Sequence, residues 1–280
     1  MRINKYLAEC GVCSRRKADE LVKAGRVSVN KKVVREVGSE VDETNDTVFV
    51  DGKKVVRVTH YDYVMFNKPK GCVTTMNDDR DNKSGRKKSD AEGDNSNGSA
   101  SGRDRGTVDG AQGADVKKKP RRTVIDYLDG YKDKRLFPVG RLDYDSEGLL
   151  LLTNDGDMTY KLTHPSSEIP KTYVVRIEGS IEESDLAILR KGVTVDGVKY
   201  GRSKVRVTGV EGNDTRLEVV IFEGKNREIR RMFEAVEKNV VFLKRVAIGE
   251  LRLGGLSRGG YRELSESEVA YLAKLCNLQR

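Results

Sequence analysis

The sequence predicts an α+β protein: a small helix-and-strand module over residues 1–60, then a mixed, mainly antiparallel β-sheet domain with flanking helices. Three observations carry that expectation. Apolar residues recur at helical spacing near both ends of the chain. Between them lie short runs of strand length, rich in Val, Ile, Leu and Tyr and bounded by Gly, Asn and Asp. The connections between these runs are too short for parallel crossovers, so most neighbouring strands run antiparallel.

In the first module, Ile3, Tyr6, Leu7 and Cys10 repeat at helical spacing, and Gly11 supplies a stop. Ser14 is placed to cap a second helix with Ala18, Leu21 and Val22 inward and Gly25 at its end. Val27 and Val29 alternate as a strand, Asn30-Lys31 turns, and Val33-Val34 continues. Arg15, Arg16 and Lys17 fall in the first turn of the second helix, where they oppose the helix dipole unless an anion sits there. With Arg26 they make a basic surface on a unit too small to carry much chemistry.

Tyr63-Val64-Met65-Phe66 reads as a strand, Asn67-Lys68-Pro69-Lys70-Gly71 as a turn with exposed lysines, and Cys72-Val73-Thr74-Thr75 as a returning strand. From 77 to 119 the composition collapses to Gly, Ser, Asn, Asp, Lys and Arg. Such a stretch cannot bury enough apolar surface to offset its ordering entropy, so it is expected to be a disordered polar insertion. Residues 61–76 and 120–280 then form one domain around it.

Residues 140–148, Gly-Arg-Leu-Asp-Tyr-Asp-Ser-Glu-Gly, have loop chemistry set directly against Leu149-Leu150-Leu151-Leu152-Thr153, a buried strand closed by Asn154-Asp155-Gly156. A loop carried by a stiff strand holds a reactive group still, and Asp143 is the residue that stands out. On chemistry alone three roles are open to it. It is a solvated loop carboxylate, a calcium ligand, or an acid-base or nucleophilic carboxylate kept ionised by a nearby Arg. Asp143-x-Asp145-x-Glu147-Gly148 imitates half of a calcium loop, but Asn154 stands where a bidentate Glu belongs, and strand follows where a helix should.

Downstream, Asp157–Thr163 reads as a short helix and Lys171–Ile177 as a strand carrying Tyr173, whose ring could stack on a base. Glu182–Arg190 is a helix. Val193–Val195, Ser203–Val207 and Leu217–Phe222 are further strands. In residues 223–233 Ile229, Met232 and Phe233 line one face of a helix, while Arg227, Arg230 and Arg231 share another. Val241–Gly249 is a strand, and Ser265 and Glu268 form a capping box for a last helix.

Lys and Arg outnumber Asp and Glu by 53 to 44, giving a net charge of +9 and favouring a polyanionic partner, nucleic acid by default. No apolar run approaches the ~20 residues of a membrane span, and the N-terminus lacks a secretory pattern. A cytoplasmic location is expected. Cys10-x-x-Cys13 has no second pair, and His60 and His164 are not spaced as ligands, so core cysteines and no metal are expected.

Gly140-Arg141-Leu142-Asp143, followed by Gly-Leu-Leu-Leu-Leu-Thr-Asn-Asp-Gly, resembles the catalytic motif of the ribosomal-RNA pseudouridine synthases typified by RsuA and RluB, and the RluB group somewhat more. Residues 67–71, Lys171-Thr172-Tyr173 and the 223–233 helix resemble further motifs of the same family in the same order. Ser14-Arg15-Arg16-Lys17-Ala18 and residues 25–30 resemble the RNA-binding module named after the fourth small-subunit ribosomal protein. The resemblance implies isomerisation of a uridine in ribosomal RNA, large-subunit RNA favoured, by a monomer without cofactor. Small-subunit RNA, or a non-catalytic role in ribosome assembly, are the other readings. It implies Asp143 as nucleophile or base, Arg230 as its partner and Tyr173 beside the target base. Arg141, Lys68, Lys225, Arg227 and Arg231, with Arg15, Arg16, Lys17 and Arg26, are the implied RNA contacts.

Overall fold

The computed structural model describes residues 1–75 and 121–279. The expected insertion, 77–119, lies outside the described residues.

The N-terminal module has helices α1 (Ile3–Glu9) and α2 (Arg15–Lys23) against four strands, β1 (Val27–Val29), β2 (Lys32–Val34), β3 (Val48–Val50) and β4 (Lys53–Val55), in the order β2-β1-β3-β4. Its core is Ile3, Leu7, Ala18, Val22, Val27 and Val48 with their neighbours. Ser14 caps α2 by accepting the Lys17 amide at 3.2 Å. Asn30 and Lys31 both take positive φ and close a two-residue hairpin, the backbone that follows the right-handed twist of its strands. The module is tied to the rest of the chain by Lys5 to Asp157 at 3.1 Å.

The remaining strands are β5 (Tyr63–Lys68), β6 (Phe137–Pro138), β7 (Glu147–Thr153), β8 (Lys171–Glu178), β9 (Val193–Val195), β10 (Val198–Tyr200), β11 (Lys204–Glu211), β12 (Asp214–Ile221), β13 (Val240–Ile248), β14 (Leu251–Arg252) and β15 (Tyr261–Glu263). The helices among them are α3 (Gly156–Thr163), α4 (Glu183–Lys191), α5 (Glu228–Glu234) and α6 (Glu266–Leu275). One large sheet runs β11-β12-β8-β13-β7-β5-β15, with β6 on β7 and β14 on β13. Within it only β7 and β13 pair in parallel, through Lys244 with Glu147 and Arg245 with Gly148. Gly148 at this seam has φ +105°, and a Cβ there would sit 2.1 Å from the Arg245 carbonyl oxygen.

The leucine run is continuous because both faces of the sheet are covered. Leu150 and Leu152 pack with Val64, Phe66 and the α4 and α5 side. Leu149 and Leu151 pack with Met65, α3 and α6 on the other. Each such side chain contributes about 1.5–3 kcal/mol by leaving water.

One expected strand is absent. Cys72–Thr75 does not return along β5. Instead Val73 forms a single parallel bridge with Thr123, its amide donating to the Arg122 carbonyl while its own carbonyl accepts from Val124. Gly71 at φ +82° turns the chain away from the sheet edge, and residues 71–74 pack under the loop that carries Asp143.

Candidate active site

The loop 142–146 is held by its carbonyls. Lys68 Nζ, enclosed at the end of β5, donates to the carbonyls of Asp143 and Ser146, each at 2.9 Å. The Gly71 amide donates to the Tyr144 carbonyl at 2.8 Å. Thr74 Oγ1 donates to the Leu142 carbonyl at 2.6 Å. Burial lowers the pKa of the Lys68 ammonium, and nearby carboxylates including Asp143 oppose the shift. Lys68 is therefore an internal brace. The expectation that it contacts RNA does not hold, because its ammonium is enclosed and its donors are engaged by backbone.

Asp143 and Tyr173 line one cavity of about 250 Å³, closed by the 139–146 loop, β8, β13 and residues 223–229. Asp143 stands at the open side. Its ion partner is Arg227, with Nη1 at 4.0 Å. Arg230 is turned elsewhere. Its guanidinium donates to the Val240 carbonyl at 2.7 Å and pairs with Asp145 at 3.0 Å. Arg227 also reaches Asp145, at 3.7 Å. The expected pairing of Arg230 with Asp143 is thus replaced by Arg230 with Asp145, while Arg227 lies nearer Asp143. The cause is local. Arg227 caps α5 in the left-handed region, φ 49°, which swings its side chain over the loop, whereas Arg230 projects from within the helix toward the start of β13.

The three arginines accordingly do not form one comb. Arg231 is directed to Asp196 and Glu234, at 3.4 and 3.0 Å. Arg141 and Lys225 are exposed beside the cavity that both line, and Lys225 Nζ donates to the Lys199 carbonyl at 2.7 Å. In the N-terminal module Arg15, Arg16 and Lys17 are exposed, Lys17 pairs with Glu20 at 2.7 Å, and Arg26 is engaged by Asp51.

Three buried charged residues in the cavity wall escaped the sequence reading: Lys171, Glu228 and Arg245, only 8, 5 and 5% exposed. Lys171 lies two residues before Tyr173 and so faces the same side of β8. Arg245 is the cross-strand partner of Tyr173. A charged residue in phase with the apolar Leu243 and Ala247 was the available signal for Arg245. Burial, reinforced by Arg245, brings Lys171 down to about 8. Burial also pushes the Glu228 carboxyl up, against a hydrogen bond from the Lys225 amide at 2.9 Å.

Among the described residues no group of three His, Cys, Asp or Glu side chains could hold a metal ion, and no helix is long and apolar enough to cross a membrane. Cys72 and Cys276 are buried, as the sequence suggests, while Cys10 and Cys13 are half-buried.

The fold joins a small basic module to a sheet domain whose cavity holds a carboxylate, an aromatic ring and several cations. Comparison with known proteins gives this arrangement its class. The family described as RNA pseudouridylate synthase matches residues 62–235, and the S4 domain matches residues 1–48. The chain is 36% identical, over 99% of its own length and 97% of the relative's, to "Ribosomal large subunit pseudouridine synthase B" of Bacillus subtilis (strain 168). It is 36% identical, over 100% and 96%, to an "Uncharacterized RNA pseudouridine synthase" of Aquifex aeolicus (strain VF5). A solved structure titled "Crystal structure of pseudouridylate synthase" superposes with a TM-score of 0.60 at 25% identity, covering 97% of this chain and 99% of that one. The chain belongs to the RNA pseudouridylate synthase family and carries an S4 domain at its N-terminal end. Its activity is that of an RNA pseudouridine synthase.

Proposed function

We propose that the protein isomerises a uridine of large-subunit ribosomal RNA to pseudouridine, with Asp143 as the carboxylate that acts on the nucleotide and with no cofactor. The observation that carries the reading is the shared cavity: Asp143 and Tyr173 line one space, and Arg227 approaches the Asp143 carboxylate at 4.0 Å. The name of the Bacillus subtilis relative supports the choice of subunit.

The reaction breaks the C1′–N1 bond, turns the base and joins C1′ to C5. The C5 proton leaves and N1 gains one, so the product is an isomer and nothing is oxidised. The target nucleotide leaves its stack at a cost of a few kcal/mol. Stacking on Tyr173 returns about 1–3 kcal/mol. A carboxylate beside a guanidinium stays ionised and oriented without receiving the Arg proton. Arg230 holds Asp145 and, through it, the loop; Arg141, Lys225, Arg227 and Arg231 lie around the cavity and along α5, in reach of backbone phosphates. Arg15, Arg16, Lys17 and Arg26 hold RNA farther off, and the enzyme works as a monomer.

The test uses ribosomal RNA tritiated at uracil C5. Asp143→Ala is expected to release no tritium while still binding the RNA. Undiminished release rejects the role of Asp143. Supplying large- and small-subunit RNA separately decides the substrate: release from small-subunit RNA alone rejects the subunit assignment.

A further inference from the structure

The cavity wall behind Asp143 and Tyr173 carries more charge than structure alone accounts for. Lys171, Glu228 and Arg245 are each more than nine-tenths buried and all three residues line the space. Arg245 Nε donates to the Leu149 carbonyl at 2.7 Å, yet its Nη2 is enclosed and has no hydrogen-bond partner among the described residues. An unmet buried donor is destabilising, and more so when charged. Two of the three are cations and one is a carboxylate, so this part of the wall carries a net positive charge beside empty volume. A purely structural ion cluster tends to meet its own donors and balance its charge. This one is completed by a ligand that brings acceptor oxygens and can carry negative charge.

Uracil has the matching face. O2, N3–H and O4 run acceptor, donor, acceptor. We propose that Lys171 and Arg245 receive the two carbonyl oxygens of the extruded base and that Glu228 accepts its N3–H. The inference rests on the reading that Asp143 acts on a uridine in this cavity.

Two consequences follow from the chemistry of the base. When C1′–N1 breaks, the electron pair leaves with the base and spreads from N1 onto O2 and O4, where the two cations lie. Preorganised charge at that point stabilises the developing anion without reorganisation. Rotation of the ring by a half turn about its N3–C6 axis then exchanges O2 with O4 and N1 with C5, and leaves N3–H in place. The same three side chains thus hold the base before and after it turns, while C5 arrives where N1 had been. Bonding of C5 to C1′, loss of the C5 proton and protonation of N1 complete the isomer. Cytosine, with N4–H₂ and an unprotonated N3, mismatches two of the three contacts.

The experiment uses the full chain, in vitro transcribed large-subunit RNA tritiated at uracil C5, and the variants Lys171→Met, Lys171→Arg and Glu228→Gln, with Asp143→Ala as the inactive reference. Lys171→Met is expected to lower kcat by about 10²-fold, the size of loss seen when one preorganised donor is removed, with RNA affinity within about threefold of the parent. Lys171→Arg, which keeps the charge, is expected to recover part of that loss, and Glu228→Gln to fall about tenfold, the size of one ordinary hydrogen bond. If both Lys171→Met and Glu228→Gln keep kcat within threefold of the parent while Asp143→Ala is inactive, the base-reading wall is overturned and the role of Asp143 stands. Full activity of Asp143→Ala rejects the underlying reading instead. Failure of Lys171→Met to fold also counts against the proposal, because it makes the ammonium a structural requirement.

Discussion

Replacing Lys171 by Met should stabilise the protein while impairing it. The size follows from the ammonium's surroundings. Its pKa falls from the ordinary 10.5 to about 8, with burial first and Arg245 second as causes. At about 1.4 kcal/mol for each tenfold, the folded chain holds that charge at a cost of about 3 kcal/mol. The sign is set by proton uptake. Below pH 8 both folded and unfolded chains carry the proton and the full cost is present. Between pH 8 and 10.5 only the unfolded chain carries it, so stability of the parent rises with pH; above 10.5 the penalty is gone. Other charged residues line the same space: Arg245 from β13, Glu228 from α5, Glu223, Lys225 and Arg227 before it, and Arg141 and Asp143 from the loop. Glu228 loses a neighbouring cation in the variant, which offsets part of the gain and leaves about 2 kcal/mol. For a chain of this size that raises the melting midpoint by about 4–8 °C. Thermal unfolding followed by circular dichroism at pH 6.5 and at pH 10 measures it. A variant that melts below the parent at pH 6.5, or a gap that does not shrink by pH 10, refutes the reasoning.

Gly148→Ala should cost about 3 kcal/mol or more, because the new Cβ meets the Arg245 carbonyl at 2.1 Å on a backbone with φ +105°; a melting midpoint within 2 °C of the parent, on the scale of about 2–4 °C per kcal/mol, contradicts this. Lys68→Met removes the donor that joins the Asp143 and Ser146 carbonyls. Tritium release should fall at least about tenfold, the effect of about 1.4 kcal/mol, with RNA retention on filters unchanged; a loss of retention alone would make Lys68 an RNA contact after all. Simultaneous Ala at Arg15, Arg16 and Lys17, all exposed, should flatten the slope of log affinity against log salt by roughly 2–3. An unaltered slope places the RNA on another surface.

What the sequence reveals here is what repeats locally. The Ser265–Glu268 capping box forms as read, the Glu268 amide reaching Ser265 Oγ at 3.3 Å and the Ser265 amide reaching Glu268 at 2.8 Å. The leucine run announces a strand covered on both faces. Asp143 is legible because a polar loop abuts that strand. What could not be read depends on contacts between distant residues. Lys68 sits in an Asn-Lys-Pro-Lys-Gly stretch whose composition describes an exposed turn, yet it ends an interior strand and answers to carbonyls some 75 residues away. Thr74 meets Leu142 across a similar separation, so no local pattern distinguishes it from a strand residue. Arg230 and Arg227 differ through one positive φ at the start of α5, a conformation that helical periodicity does not encode.

The bridge between Val73 and Thr123 has a practical meaning for anyone wishing to rebuild this enzyme. Val73 and Thr123 are fixed side by side through neighbouring peptide groups, and for two points held together in this way each doubling of the chain length joining them costs only about 0.6 kcal/mol. That junction lies next to Thr74, one hydrogen bond from Leu142. A reporter, tether or second RNA-binding unit spliced there would emerge alongside the loop that bears Asp143, at a small energetic penalty to the frame.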